Sequence, residues 1–199
     1  GYQKATGTVK INEKLIEVGS ASQGQSRRAN GLSHVPEDRQ QEGLIMEFTA
    51  WENSVFGYHH DAGIQNGIFM NNAAIRNEAQ AKIERFDIRP PDPRLKARNF
   101  SGGNQQKIVL AREIERDPEI LLVGQPTRGV DIGAIEFIHR QIMTLRDKGK
   151  AVLLVSVELD EVLSLSDRIA VMFDGMIVGE RVNEDVTDRE LGLLMAGVA

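Results

Sequence analysis

The spacing of apolar and polar positions divides the 199-residue chain into elements of two kinds. Short β-prone runs at 8–11 and 15–18, parted by Asn12-Glu13-Lys14, predict a hairpin. Residues 20–30 are polar and end on Asn30-Gly31, which predicts a short helix with a glycine stop. Leu32–Val35 reads as a brief strand stopped by Pro36. Thr49 with Glu52 three residues on forms a capping box for a helix over 49–58, whose Trp51 and Phe56 are expected to pack in the surrounding helical region. Residues 61–72, rich in Gly and Asn, predict a mobile loop. Ala74, Ile75, Ala79 and Ile83 share one side of a predicted helix over 72–86, and Pro90-Pro91-Asp92-Pro93 ends that region.

The second half alternates more regularly. Ser101 is placed to cap a helix that continues through Ile108, Ala111, Arg112 and Glu115. The apolar run 120–123 has no polar alternation, which suits a central parallel strand covered on both faces. Ile135, Ile138, Ile142 and Leu145 form a helical stripe over 134–148, closed by Gly149. A second buried strand is expected at 151–155 and a short helix at 158–165. Runs at 168–172 and 176–180 flank Asp174-Gly175, a hairpin signal, and 187–196 reads as a last helix. Strand–helix–strand alternation predicts an α/β fold with a parallel sheet and right-handed crossovers.

Composition narrows the function classes. A net charge of −5 lacks the basic field of a general nucleic-acid binder. There is no cysteine and hence no disulfide scaffold. No apolar run approaches the roughly 18 residues that span a bilayer, so a membrane role requires a partner.

Candidate chemistry gathers at Phe100-Ser101-Gly102-Gly103-Asn104-Gln105-Gln106-Lys107. Two glycines let the backbone approach a ligand closely, and the helix that follows offers amides and a positive dipole end to a phosphate. An ordinary capped helix would need the same serine. Tyr58-His59-His60-Asp61 invites a metal reading, but adjacent residues do not share a helix face and no second cluster stands at ligand spacing, so loop residues are expected. Arg27-Arg28 reads as a solvated face rather than a phosphate contact.

The 100–107 stretch resembles the signature motif of ATP-binding cassette (ABC) ATPases. Gly124-Gln125-Pro126-Thr127-Arg128-Gly129-Val130-Asp131, after the apolar run, resembles their Walker B strand and D-loop. Val35-Pro36-Glu37-Asp38-Arg39 and Ala50-Trp51-Glu52-Asn53 resemble the Q-loop region and the start of the helical subdomain. The Pro-Glu-Asp-Arg and Ser-Gly-Gly-Asn-Gln-Gln pieces are similar to the second cassette of double-cassette subunits from bacterial simple-sugar and nucleoside importers. The variants Gln125-Pro126-Thr127 and Ala134-Ile135-Glu136-Phe137-Ile138-His139 are closer to the nucleoside branch.

The resemblance implies a RecA-like P-loop NTPase core with a parallel sheet, a small antiparallel β part and an inserted helical subdomain. It implies division into 1–43 (antiparallel β part and Q-loop region), 44–99 (helical subdomain against the permease) and 100–199 (signature helix, Walker B, D-loop and H-loop region). No Gly-x-x-x-x-Gly-Lys-Ser/Thr occurs, so the chain is expected to begin after the first strand and Walker A loop. ATP and Mg2+ are the implied ligands. The implied partners are the N-terminal cassette of the same subunit, the membrane permease subunits and, indirectly, a solute-binding protein, at the cytoplasmic face of the membrane.

Carried over position by position, the family's Walker B Asp falls on Gly124, its catalytic Glu on Gln125 and its H-loop His on Val157. None of these can do the original chemistry: glycine has no ligand, glutamine takes no proton at neutral pH, and valine cannot bond a phosphate. No catalytic residue is therefore expected in this chain. Ser101, Gly102, Gly103, Asn104 and Gln105 retain the signature type, and Asp131 corresponds to the D-loop Asp. Glu37 stands in the Q-loop region, either to hold a cation's water or as part of a surface turn with an ion pair. Two other classes share the signature: a soluble ABC-type ATPase acting on DNA or ribosomes, and a non-hydrolytic regulatory module. The first would show a basic surface, long heptads or an inserted linker, and none of these is visible.

Overall fold

The computed structural model describes residues 7–16, 28, 30–59, 61–66 and 69–198. The chain divides into two compact units, 1–153 and 154–199. The boundary falls inside a strand.

In the first unit, β1 (Val9–Ile11) and β2 (Lys14–Ile16) pair antiparallel with Val9 opposite Ile16. Asn12 and Glu13 take φ of 48° and 63° in the two-residue turn between them, the left-handed values such a turn requires. Residues 17–18 of the expected second strand, and 20–27 and 29 of the expected short helix, lie outside the described residues. The strand β3 (Leu32–Val35) follows, and then one π-helical turn, Arg39–Gly43, is capped by Asp38, whose Oδ1 accepts from the amides of Gln40 and Gln41.

The helix expected over 49–58 is one turn, α1 (Ala50–Asn53). Its capping box is present: Thr49 N donates to Glu52 Oε2 at 2.8 Å and Glu52 N to Thr49 Oγ1 at 3.4 Å. It stops because Ser54 Oγ donates to Trp51 O and Gly57 takes φ +85°, leaving helical space. Trp51 packs on the buried cluster Val55, Ile64 and Ile75, whereas Phe56 is 40% exposed, contrary to expectation, with the Arg112 guanidinium beside its ring. The region expected to be a mobile loop holds a 3-10 turn (Ala62–Ile64) and a short hairpin of β4 (Gln65–Asn66) and β5 (Phe69–Met70).

The helix α2 (Asn72–Arg85) buries Ile75, Ala79, Ile83 and also Lys82. Lys82 Nζ donates to Ser54 O and to Glu78, so its charge is paired inside; burial lowers its pKa and Glu78 opposes that shift. The helix α3 (Gly102–Ile114) is buried on every side from Gly103 to Glu113 apart from Asn104. It leads to β6 (Ile120–Gly124), α4 (Ile132–Asp147) and β7 (Ala151–Val155). The sheet order is β3-β6-β7, with β3 and β6 parallel and Val35 opposite Val123. The middle strand is the most enclosed, with Leu121 and Val123 at 0% exposure. On α4, Ala134 rather than Ile135 joins Ile138, Ile142 and Leu145 in the core.

One expectation is overturned at β7. It was expected to be buried, yet Leu153 and Val155 are 61% and 53% exposed. A strand at the end of the order pairs on one edge only, and an unbroken apolar run does not reveal whether each face is covered.

The second unit is built on β8 (Arg168–Phe173) and β9 (Met176–Val182), antiparallel across Asp174-Gly175 at φ of 46° and 76°. The helices α5 (Leu159–Leu165) and α6 (Asp188–Met195) supply Leu159, Val162, Leu163, Leu191 and Leu194 to a small core with Ile169 and Val171.

Candidate functional site

Ser101 is exposed at the start of α3 and has extended backbone, φ −62° and ψ 160°. Its Oγ accepts from Asn104 N at 3.4 Å and from Asn104 Nδ2 at 2.8 Å. The Asn104 Oδ1 accepts in turn from Arg89 N at 2.7 Å. Asn104 thus fixes the serine rotamer and ties it to the chain before the prolines. The first-turn amides of any α-helix lack an intrahelical acceptor, and Gly102 and Gly103 occupy that turn here.

The two glycines are required by what stands beside them. A Cβ at Gly102 would lie 2.6 Å from Arg39 Nη2 and 2.8 Å from Gly129 O. One at Gly103 would lie 2.8 Å from Asp131 Oδ2 and 3.0 Å from Ala134 Cβ. Asp131 caps α4, its Oδ1 accepting from Ala134 N at 2.9 Å. The signature turn and the turn that carries Asp131 are therefore packed together at one corner.

Gln105 is placed otherwise. It is 3% exposed; its Nε2 donates to Ala97 O and Phe100 O, and its Oε1 accepts from Gln40 Nε2 at 3.1 Å. Its side chain holds the approach to α3 from inside. Lys107 donates to Asp87 O and stands 4.7 Å from the Phe137 ring, which pins α3 against α4.

The parallel register of β3 and β6 brings Glu37 and Gly124 to the same end of the sheet. A Cβ at Gly124 would be 3.3 Å from Glu37 N. Glu37 Oε1 accepts from Arg128 Nη1 at 2.6 Å on the surface, so the ion pair expected of this turn is made, with Arg128 rather than Arg39. Gln125 takes a left-handed φ of 47°. At the end of β6, position 124 offers no side-chain oxygen, and the neighbouring Glu37 carboxylate is paired with Arg128 on the surface. Val157, in the second unit, is 66% exposed, followed by Glu158 at the cap of α5 and Asp160 in its first turn.

A buried polar network lies behind the corner and was not legible in the sequence. Glu113, at 0% exposure, accepts from Arg112 Nε at 2.8 Å and from Tyr58 Oη at 2.5 Å. Ser33 Oγ on β3 donates to Glu113 O at 3.1 Å and lies 3.3 Å from Tyr58 Oη. Arg112 Nη1 reaches Gly43 O at 2.8 Å and Asn53 O at 3.3 Å. Asn53, also at 0%, is held by Ile45, Phe48 and Thr49 main-chain groups. The available signal was Arg112 and Glu113 directly after the apolar run 108–111, a full helical turn whose burial would carry both charges inside, where they cannot stay unpaired. Arg28 is half-buried, with its guanidinium 5.1 Å from the Tyr58 ring centre, rather than on a solvated face.

Burial, then the Glu113 carboxylate, pushes the Tyr58 pKa up to about 12 from 10.0. A phenol held neutral in the native state contributes stability that is complete below pH 10 and is lost as pH rises through the folded value. Between about pH 10 and about pH 12 the Tyr58 contribution, ~3 kcal/mol, is expected to disappear. Urea melts across that window should lose stability more steeply in the native sequence than in Tyr58→Phe.

The arrangement of strands, signature helix and capped turns is that of an ATP-binding cassette fold, and comparison with known proteins agrees. The ABC transporter family model matches residues 1–128, and the chain belongs to that family. It is 41% identical over 192 residues to the guanosine import ATP-binding protein NupO of Bacillus subtilis, covering 96% of this chain and 37% of that protein. It is 43% identical over 192 residues to the nucleoside import ATP-binding protein NupA of Lactococcus lactis subsp. cremoris, with the same coverages. A putative ribose/galactose/methyl galactoside import ATP-binding protein of Rhizobium etli is 35% identical, covering 96% of this chain and 36% of that protein. The chain thus spans little more than a third of the length of these curated relatives. Its fold is that of ABC ATPases: the dimeric ATP-binding cassette MJ0796 bound to ADP and phosphate matches with a TM-score of 0.71 at 24% identity, over 89% of this chain and 74% of that one. Among the described residues no helix is long and apolar enough to cross a membrane.

Proposed function

We propose that this chain is the second nucleotide-binding cassette of an ABC import subunit for nucleosides, and that it lends its signature to ATP and Mg2+ seated on the first cassette. Its own site is hydrolytically weak. The 44–99 region meets the permease at the cytoplasmic face of the membrane, with a solute-binding protein upstream; the 1–43 region supplies the antiparallel β part and Q-loop region, and 100–199 the signature helix, Walker B, D-loop and H-loop region. The observation that carries this reading is the contrast between two corners. Ser101 is presented to solvent on a helix start backed by Asp131, while the end of β6 offers Gly124 and Gln125 where hydrolysis needs carboxylates. The nucleoside importers match at 41% and 43% identity over 96% of this chain, whereas a glucose import protein at 41% matches over 84%, so the longer match favours that solute class.

The purified chain is expected to release no phosphate from ATP above background. In the complete subunit, Gln125→Ala should leave turnover unchanged. The left-handed backbone at 125 is already borne by a residue with a Cβ, so alanine adds no new strain. A loss of the size that follows removal of a general base, about 10²–10⁴ in rate, would refute the degenerate site.

A further inference from the structure

We infer that Arg39 is a positioning residue that holds the turn carrying Asp131 against the signature glycines. Three segments far apart in the sequence meet at its guanidinium. Asp38 anchors the backbone of the π-helical turn on which Arg39 stands. From there Nη1 donates to Arg128 O at 2.7 Å and Nη2 to Gly129 O at 3.3 Å, across 89 and 90 residues of chain. Nη2 also occupies the space over Gly102 that any side chain at 102 would need. Burial lowers the Arg39 pKa, Asp38 opposes this and Arg128 adds to it, yet a guanidinium stays charged throughout.

The shape of the group matters here. A planar fork can satisfy two successive carbonyls of one turn, which a single ammonium cannot do in the same geometry. Without it, the carbonyls of Arg128 and Gly129 turn to water and the loop leading to Asp131 is freed. Asp131 and Gly103 then lose their fixed spacing. Arg39 therefore sets how the 101–103 lip is presented. This inference rests on the proposed role of that lip.

The test compares Arg39→Ala, Arg39→Lys and Ser101→Arg in the complete subunit assembled with its membrane partners. Arg39→Ala is expected to lower kcat for ATP by about 10- to 100-fold with little change in KM, the mark of lost orientation rather than lost binding. Arg39→Lys should not recover it. Free guanidinium at non-denaturing concentration should restore part of kcat in Arg39→Ala and none in Ser101→Arg. Hydrogen exchange should quicken at 128–130 while the middle of α3 keeps its protection. Native kcat in Arg39→Ala beside an inactive Ser101→Arg overturns this inference alone. Full recovery by lysine, or faster exchange throughout α3, also overturns it, because either makes the role one of charge or of bulk stability. An active Ser101→Arg overturns the lip reading beneath it.

Discussion

Replacing Ser101 with arginine in the complete subunit is expected to cut ATP turnover by about 10²–10³-fold, the usual cost of removing one preorganised donor from a developing charge. The serine is exposed, caps α3 and is steadied by Asn104 at 2.8 Å. Arginine cannot accept from the Asn104 amide, and its length blocks the approach of a nucleotide to Gly102 and Gly103. Loss of the cap costs about 1 kcal/mol, so the protein should stay folded. Phosphate release at saturating ATP is the measurement, with the thermal midpoint as control. Native turnover in this variant would contradict the function proposed for the chain.

Glu113→Ala is expected to destabilise the fold by about 3–5 kcal/mol, the cost of breaking a buried ion pair on one side. The carboxylate is at 0% exposure and is shared by Arg112 and Tyr58. Removing it leaves the Arg112 charge buried with only the Gly43 and Asn53 carbonyls, and leaves the Tyr58 hydroxyl with only the weaker Ser33 hydroxyl as acceptor. A urea titration of the chain and the variant gives the difference directly. Arg128→Ala, which breaks the exposed pair with Glu37, should change stability little. Equal effects from the two would mean the network is open to water.

Elements with a strong local code could be read without the structure. Asp174-Gly175 specified its hairpin, Thr49 and Glu52 their capping box, and Ser101 its helix start, because each depends on neighbours within three residues. The β6 strand and α4 helix were also legible as elements, since a continuous apolar run and a helical stripe mark element type even where they misjudge which residues are covered. Legibility ended where the decisive partner is distant. Arg39 looked like half of a local pair with Glu37 or Asp38, while its acceptors lie at 128 and 129. Tyr58 sat in a segment that suggested loop or metal chemistry, and its acceptor is at 113. The exposure of Leu153 depends on what neighbours β7, which its own residues do not encode. At the candidate site the residue types were legible. The crowding that demands glycine at 102 and 103, and the inward turn of Gln105, were not.

The Ser33–Tyr58–Arg112–Glu113 network also bears on how the polypeptide is made. Ser33 leaves the ribosome 80 residues ahead of Glu113, and at roughly 5–20 residues per second that gap lasts about 4–16 s. During this interval β3 and the segment around Tyr58 have no carboxylate to close upon, and their hydroxyls stay with solvent. These buried contacts therefore close only after the signature helix has emerged, and translation pauses placed before residue 113 postpone them.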